Sequence, residues 1–191
     1  MTLLLFDGSV FEWALGDEEG KPTMTCGGGI DRLKAVRKVA DYQFGRGVGE
    51  RLFPDDVRIT LSRKTGRIRQ ILHGERLIAT LNPISGLLNL TVEGARRLVE
   101  GGNPVTRWVR VQDGVASFIE NGGNVFAKHV ADADRDIRPM EEVIVLNSTG
   151  EVIAVGKAML SGAEMLSFKR GVAVKVRRGA SEKTKKGKGA K

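Results

Sequence analysis

The residues best placed to do chemistry gather around one short loop, Asn121-Gly122-Gly123-Asn124. Glycine has no Cβ, so backbone N–H groups there can approach a ligand closely, and successive N–H groups can form a concavity for an anion. Basic residues stand near the loop in sequence: Arg107, Arg110, Lys128 and His129. Lys175, Arg177 and Arg178 join them if the last strand pairs next to the first. Guanidinium forks match pairs of phosphate oxygens, and Phe126 can stack on a nucleobase. The chemistry that suits this set is recognition of a phosphodiester chain. On pattern alone, a plain turn with solvated charges and a core phenylalanine is an equal reading.

Other constellations fail on spacing. Gly16-Asp17-Glu18-Glu19-Gly20-Lys21 has the look of a phosphate-cradling loop, but its glycines are one residue too close. Pro22 also stands where a hydroxyl must hold magnesium. Gly45-Arg46-Gly47-Val48-Gly49 follows a helix rather than a strand, which is wrong for a dinucleotide site. Asp132, Asp134 and Asp136 open like a calcium loop, but Ile137 and Val143 occupy the glycine and glutamate places. A single cysteine, Cys26, excludes an internal disulfide and a multi-cysteine zinc site. Asp41, Glu93 and His129 are available acids and bases that nothing pairs. No catalytic residue, metal site or cofactor is expected, and the chain is not expected to be an enzyme by itself.

The charge balance favours a polyanion partner. The 191 residues carry a net +8, unevenly spread. Residues 1–31 hold six acids against Lys21, a net −5, while residues 32–178 hold +9 and the tail from Gly179 holds +4. A body this basic suits nucleic acid, since each phosphate neutralised releases condensed counterions. Generic solubility is the competing explanation. The run Leu3–Phe6 ends at Asp7 without a basic lead, so it does not read as a signal peptide. No apolar stretch approaches the ~20 residues of a membrane span. The expectation is a cytoplasmic protein with no membrane partner.

These residues need elements to position them. Leu3–Phe6 and Val10–Trp13 can pair as a hairpin across Asp7-Gly8. Asp31 can cap a helix whose stripe is Leu33, Val36, Val39 and Ala40, with Gly45, Gly47 and Gly49 ending it and Pro54 forbidding its return. Strand signals follow at Val57–Leu61, Arg67–Leu72, Leu77–Leu81 and Leu87–Leu90. Thr91 can cap a helix through Leu98. This reads as a small antiparallel sheet with helices. Gly101-Gly102-Asn103-Pro104 looks like a boundary. Beyond it come strands at Trp108–Val111, Val125–Val130, Val143–Leu146, Val152–Val155 and Val172–Val176, with short helices at Val115–Glu120 and Gly162–Phe168. That spacing suggests a closed or nearly closed small β-barrel. The lysine- and glycine-rich tail cannot bury enough to order itself.

The run Phe118-Ile119-Glu120-Asn121-Gly122-Gly123-Asn124-Val125-Phe126-Ala127-Lys128-His129-Val130 resembles the PUA domain, an RNA-binding module. Ile137–Val143, Ala154–Ala158 and Gly171–Arg177 continue the likeness. His129 stands where most of these domains have glycine. The Val-Phe-Ala-Lys form is similar to the archaeal tRNA-guanine (archaeosine) transglycosylase branch. Val39–Gly45, Ser62–Arg69 and Leu90–Ala95 resemble the small domain that precedes PUA in those enzymes.

The resemblance implies an α+β fold: a pre-PUA α/β domain at 31–103 and a PUA-type β-barrel at 104–178. An unassigned acidic segment at 1–30 and a basic tail at 179–191 flank them. It implies RNA, in particular tRNA, as the partner, gripped at the acceptor stem and 3′ CCA end. Gly122, Gly123, Asn124, Phe126, Lys128, Lys175 and Arg177 would lie on that surface, with Arg107, Arg110 and His129 added from the charge pattern. The family's catalytic barrel and zinc cysteines have no counterpart in these 191 residues. The implied role is therefore to hold tRNA for a separate modifying enzyme. The alternatives are an accessory subunit of a split archaeosine-forming transglycosylase and an rRNA or ribosome-assembly factor.

Overall fold

The computed structural model describes residues 31–101 and 105–181. The expected hairpin at Leu3–Trp13, Cys26 with its glycines, most of the Gly101–Pro104 boundary and most of the basic tail lie outside them.

Helix α1 (Arg32–Phe44) buries Val36, Ala40, Gln43 and Phe44 along one side, and Leu33 and Val39 pack beside them. Gly45 and Gly47 end it with φ of 109° and 78°. Gly49, expected to end the helix too, instead sits within a second short helix, α2 (Val48–Leu52). A Cβ there would stand 2.2 Å from the Arg37 carbonyl oxygen, so glycine is what lets α2 cross α1. The Gly49 N–H donates to Asp41 Oδ1 at 2.8 Å, which fixes the crossing.

Four strands follow: β1 (Val57–Leu61), β2 (Ile68–His73), β3 (Arg76–Leu81) and β4 (Leu88–Leu90). They pair antiparallel in chain order. One face carries the register row Ile59, Ile71, Ala79 and Leu90, and the other carries Thr60, Gln70, Thr80 and Asn89. Alternation along each strand separates the rows. The turns at 62–67 and 82–87 have the same build. In each the glycine (Gly66, Gly86) donates to the first residue's carbonyl, and both glycines have positive φ. Helix α3 (Val92–Glu100) begins at Thr91, whose hydroxyl accepts from the Gly94 N–H at 3.1 Å, the expected cap.

The second sheet has six strands: β5 (Trp108–Val111), β6 (Val125–Phe126), β7 (Val130–Ala133), β8 (Glu142–Leu146), β9 (Val152–Ala158) and β10 (Val172–Gly179). Helix α4 (Ala116–Glu120) lies between β5 and β6, and α5 (Gly162–Ser167) between β9 and β10. Their order is β6-β10-β9-β8-β5-β7, with β5 and β8 parallel and the other pairs antiparallel. The single strand expected over Val125–Val130 is broken. β6 pairs at one edge with β10, β7 pairs at the other with β5, and a 3-10 turn at Ala127–His129 joins them. That turn carries the chain from one edge of the sheet to the other and nearly closes the barrel, so an unbroken strand cannot serve here.

Strand β8 is buried along its whole length. Val143 and Val145 pack in the barrel interior with Val109, Val111, Ile119 and Ile153. Ile144 and Leu146 pack on the opposite side with Leu88, Leu90 and Leu98. A strand covered on both faces reads as a continuous apolar run, which explains Val143–Leu146. The first sheet and its helices therefore share a core with the outer wall of the barrel. Among the described residues no helix is long and apolar enough to cross a membrane.

Candidate nucleic-acid interface

The Asn121–Asn124 loop caps α4. Gly122, at φ 93°, donates to the Ile119 carbonyl at 2.9 Å, and Gly123 donates to the Phe118 carbonyl at 3.0 Å. This i−3 and i−5 pairing around a left-handed glycine is a Schellman helix end. The sequence-based expectation that these two N–H groups face a ligand is thereby corrected: both are already bonded. Gly123 serves shape instead. A Cβ on it would lie 2.1 Å from a Phe118 ring carbon, so the missing side chain seats that ring.

Asn124 ties the loop to the barrel, its Oδ1 accepting from the Val176 N–H at 3.1 Å. From there Val125 turns inward and is fully buried, and Phe126 turns outward, 40% exposed. The 3-10 turn sends Ala127 back into the core and leaves Lys128 exposed. Phe118, Asn124, Phe126, Lys128 and His129, floored by Val115 and Ile119, enclose an open depression of about 290 Å³. Phe118 is 60% exposed. Two partly exposed aromatic rings beside a lysine, with no carboxylate in the lining, can take a nucleobase by stacking and its phosphate by charge.

The structure brings Asn124, Phe126, Lys128 and His129 together at this depression. Gly123 shapes its border by seating the Phe118 ring, and Gly122 is not in its lining. Lys175 is exposed on β10, opposite Lys157 in the register. Three arginines proposed from charge have other neighbours. Arg107 sits at φ 62°, its N–H donating to Asp134 at 2.6 Å and its guanidinium to Glu141 at 3.0 Å. The Arg110 guanidinium lies over the Trp108 ring, 5.2 Å from the centroid. Arg177 donates to the Leu90 carbonyl at 2.7 Å and pairs with Glu142. The same Glu142 carboxylate accepts from the Leu90 N–H at 3.1 Å. Arg177 thus binds the barrel to the first sheet.

Glu142 has a side chain only 3% exposed, and its Oε2 is buried without a hydrogen-bond partner among the described residues. Burial pushes its carboxyl up to about 7, against the opposing pull of Arg177. Asp41, Glu93 and His129 have separate surroundings. Asp41 accepts from Gly49, Glu93 pairs with Arg76 at 2.6 Å, and His129 lines the depression.

Sequence reasoning passed over Phe118 as a wall of the site. Its signal was Gly123, a residue with no room for a side chain. Lys169 and Arg170, both exposed, precede Gly171, whose carbonyl accepts from the Ala127 N–H at 3.0 Å. They stand beside the strand that carries Phe126 and were not singled out. Gly123→Ala is expected to push the Phe118 ring out of its seat. RNA affinity should fall severalfold, with a melting temperature lowered by only a few degrees. Titration and thermal melts of the same preparation check this.

Residues 107–180 match the family model of the PUA domain, and residues 34–104 match the patch-forming domain C2 of tRNA-guanine transglycosylase. Residues 107–180 are a PUA domain. Over 150 residues it is 47% identical to the tRNA-guanine(15) transglycosylase of Methanothermobacter thermautotrophicus, covering 78% of this chain and 23% of that protein. Against the enzyme of the same name from Thermococcus kodakarensis it is 46% identical over 149 residues, covering 78% and 25%. The chain thus spans about a quarter of the length of these curated relatives. The match falls in their PUA-containing C-terminal region, not in their catalytic barrel.

Among solved structures, a hypothetical protein from Pyrococcus horikoshii superposes with TM-score 0.66 at 25% identity, over 79% of this chain and 91% of that one. A conserved PUA domain protein from Thermoplasma acidophilum shares the fold, with TM-score 0.60 at 22% identity over 79% and 90%. The α+β architecture and the barrel expected from sequence are both present. The chain carries an RNA-binding fold, homologous to part of a tRNA-modifying enzyme.

Proposed function

We propose that this protein holds tRNA by its acceptor stem and 3′ CCA end, and contributes binding rather than chemistry to a tRNA-modification system. The observation that carries this reading is the depression between Phe118 and Phe126. Both rings are partly exposed, beside Lys128. Unstacked bases at the end of a tRNA are what such an arrangement receives, because every base has a face to stack and single strands leave that face free. The non-catalytic part of the proposal rests on the engagement of Asp41 and Glu93 in separate structural contacts.

The test is binding of a tRNA transcript with and without its CCA end, followed by fluorescence anisotropy at low and moderate salt. Intact tRNA should bind more tightly by about tenfold, the equivalent of one stacked base. Equal affinity for the two RNAs would remove the CCA end from the account.

A second reading follows from the relatives, in which the matched domains accompany a transglycosylase. In it the chain presents tRNA to a barrel that exchanges the base. Mixing it with such a barrel protein should raise base exchange, and an indifferent barrel would speak against it.

A further inference from the structure

The outer face of the first sheet carries a second concentration of chemistry. Residues 57–72 contain five basic residues (Arg58, Arg63, Lys64, Arg67, Arg69) and no acid, and all five are exposed. They flank the outward row Thr60, Gln70, Thr80 and Asn89, uncharged hydrogen-bonding side chains aligned across all four strands. In β1–β2 the register skips Arg69. That bulge lets Arg69 and Gln70 both line an open depression of about 660 Å³, together with Arg67, Thr80 and Asn89.

A neighbouring depression of about 610 Å³ shares Thr80 and Asn89 and reaches Arg177 and Arg178 on β10. Glu93 is the acid in its lining, and Arg76 neutralises it at 2.6 Å. The two depressions join into one track. It runs from the basic turn at 62–67, over a row of neutral donors and acceptors, to the exposed Arg178 of the barrel.

We propose that this track is a second RNA contact, taking the ribose–phosphate backbone of the tRNA whose end the Phe118–Phe126 depression holds. The proposal rests on the RNA-binding reading above. Cations at the two ends suit phosphates. Hydroxyl and amide side chains between them suit ribose hydroxyls, which both donate and accept. An acidic protein surface would need the cations but not the neutral row, so RNA is the better fit.

The test compares the full chain with the quadruple variant R63Q/K64Q/R67Q/R69Q and with Asn89→Asp, which adds one negative charge mid-track at almost unchanged volume. A tRNA transcript is titrated between 50 and 200 mM salt. Each lost phosphate contact lowers the slope of log affinity against log salt by about 0.9. The quadruple variant should therefore lose a slope of about 2–3, and Asn89→Asp should bind at least severalfold more weakly at low salt.

Wild-type slope and affinity in Asn89→Asp, or in a folded quadruple variant, overturn the proposal. That result would also follow if an acidic protein occupied the track. If the wild-type chain itself failed to bind tRNA, the RNA-binding reading would fall with it. If the CCA-dependent part of binding persists in both variants while the slope stays wild-type, this track alone is refuted.

Discussion

Replacing Arg177 with methionine is expected to cost about 1–3 kcal/mol at pH 8, the effect of removing a charged hydrogen-bond donor from a buried carboxylate, reduced because the arginine side chain is itself 37% exposed. Glu142 would remain enclosed at the junction of β4, β8 and β10, with the Leu90 N–H as its hydrogen-bond donor and Lys157, opposite it on β9, as the nearby cation. For a chain of this size that is a fall of roughly 3–10 °C in melting temperature. The loss should shrink toward pH 5. Burial raises the Glu142 carboxyl from an ordinary 4.5 to about 7 in the folded protein. A raised folded value means that the native state holds the proton more tightly than the unfolded chain. The associated stability is full below about 4.5 and declines as pH climbs through about 7. Wild-type melting temperature should therefore decrease across that window because of this group, and more steeply in Arg177→Met. Glu142→Gln should flatten it. Melts at pH 5, 6, 7 and 8 for the three proteins decide the matter. Identical pH profiles for wild type and Glu142→Gln would show that the buried carboxyl does not titrate there.

The second large effect concerns binding. The double variant F126A/K128Q should lose tRNA affinity by roughly 30-fold or more. The stacking surface contributes about 1–3 kcal/mol per base, and Lys128 adds one phosphate contact, so the salt slope should drop by only about 1. Thermal stability should change little, because Phe126 and Lys128 point away from the core. This pattern, a large affinity loss with a small slope change, is the reverse of what neutralising the 62–69 turn should produce. Anisotropy titrations of both variants separate stacking from charge.

Much of this was legible in the residues. The helical stripe of α1, the Thr91 cap and the alternation of Val57–Thr60 depend on local spacing, and the structure follows them, while Leu61, past a register shift, is exposed. What depended on remote partners was not legible. Nothing local shows that Val125–Val130 must break to reach two different sheet edges, or that Gly49 must pass within 2.2 Å of Arg37. The loop glycines illustrate the same limit at the site. Their positions suggested a phosphate cradle, but a Schellman helix end makes the same demand for a left-handed residue. Arginines were the hardest to place from sequence. Arg107 and Arg177 read as free charges, yet Glu141 and Glu142 claim them through contacts across 34 and 35 positions of the chain. Lys128 is exposed in the 3-10 turn, next to the buried Ala127.

The most direct test is to crosslink the tRNA-bound protein with ultraviolet light and identify the peptide that carries the nucleotide adduct. A base seated between Phe118 and Phe126 predicts adducts within residues 116–130, lost when the CCA end is removed. Adducts confined to other segments, with 116–130 unmodified under saturating tRNA, would contradict the aromatic depression as the place where RNA is held.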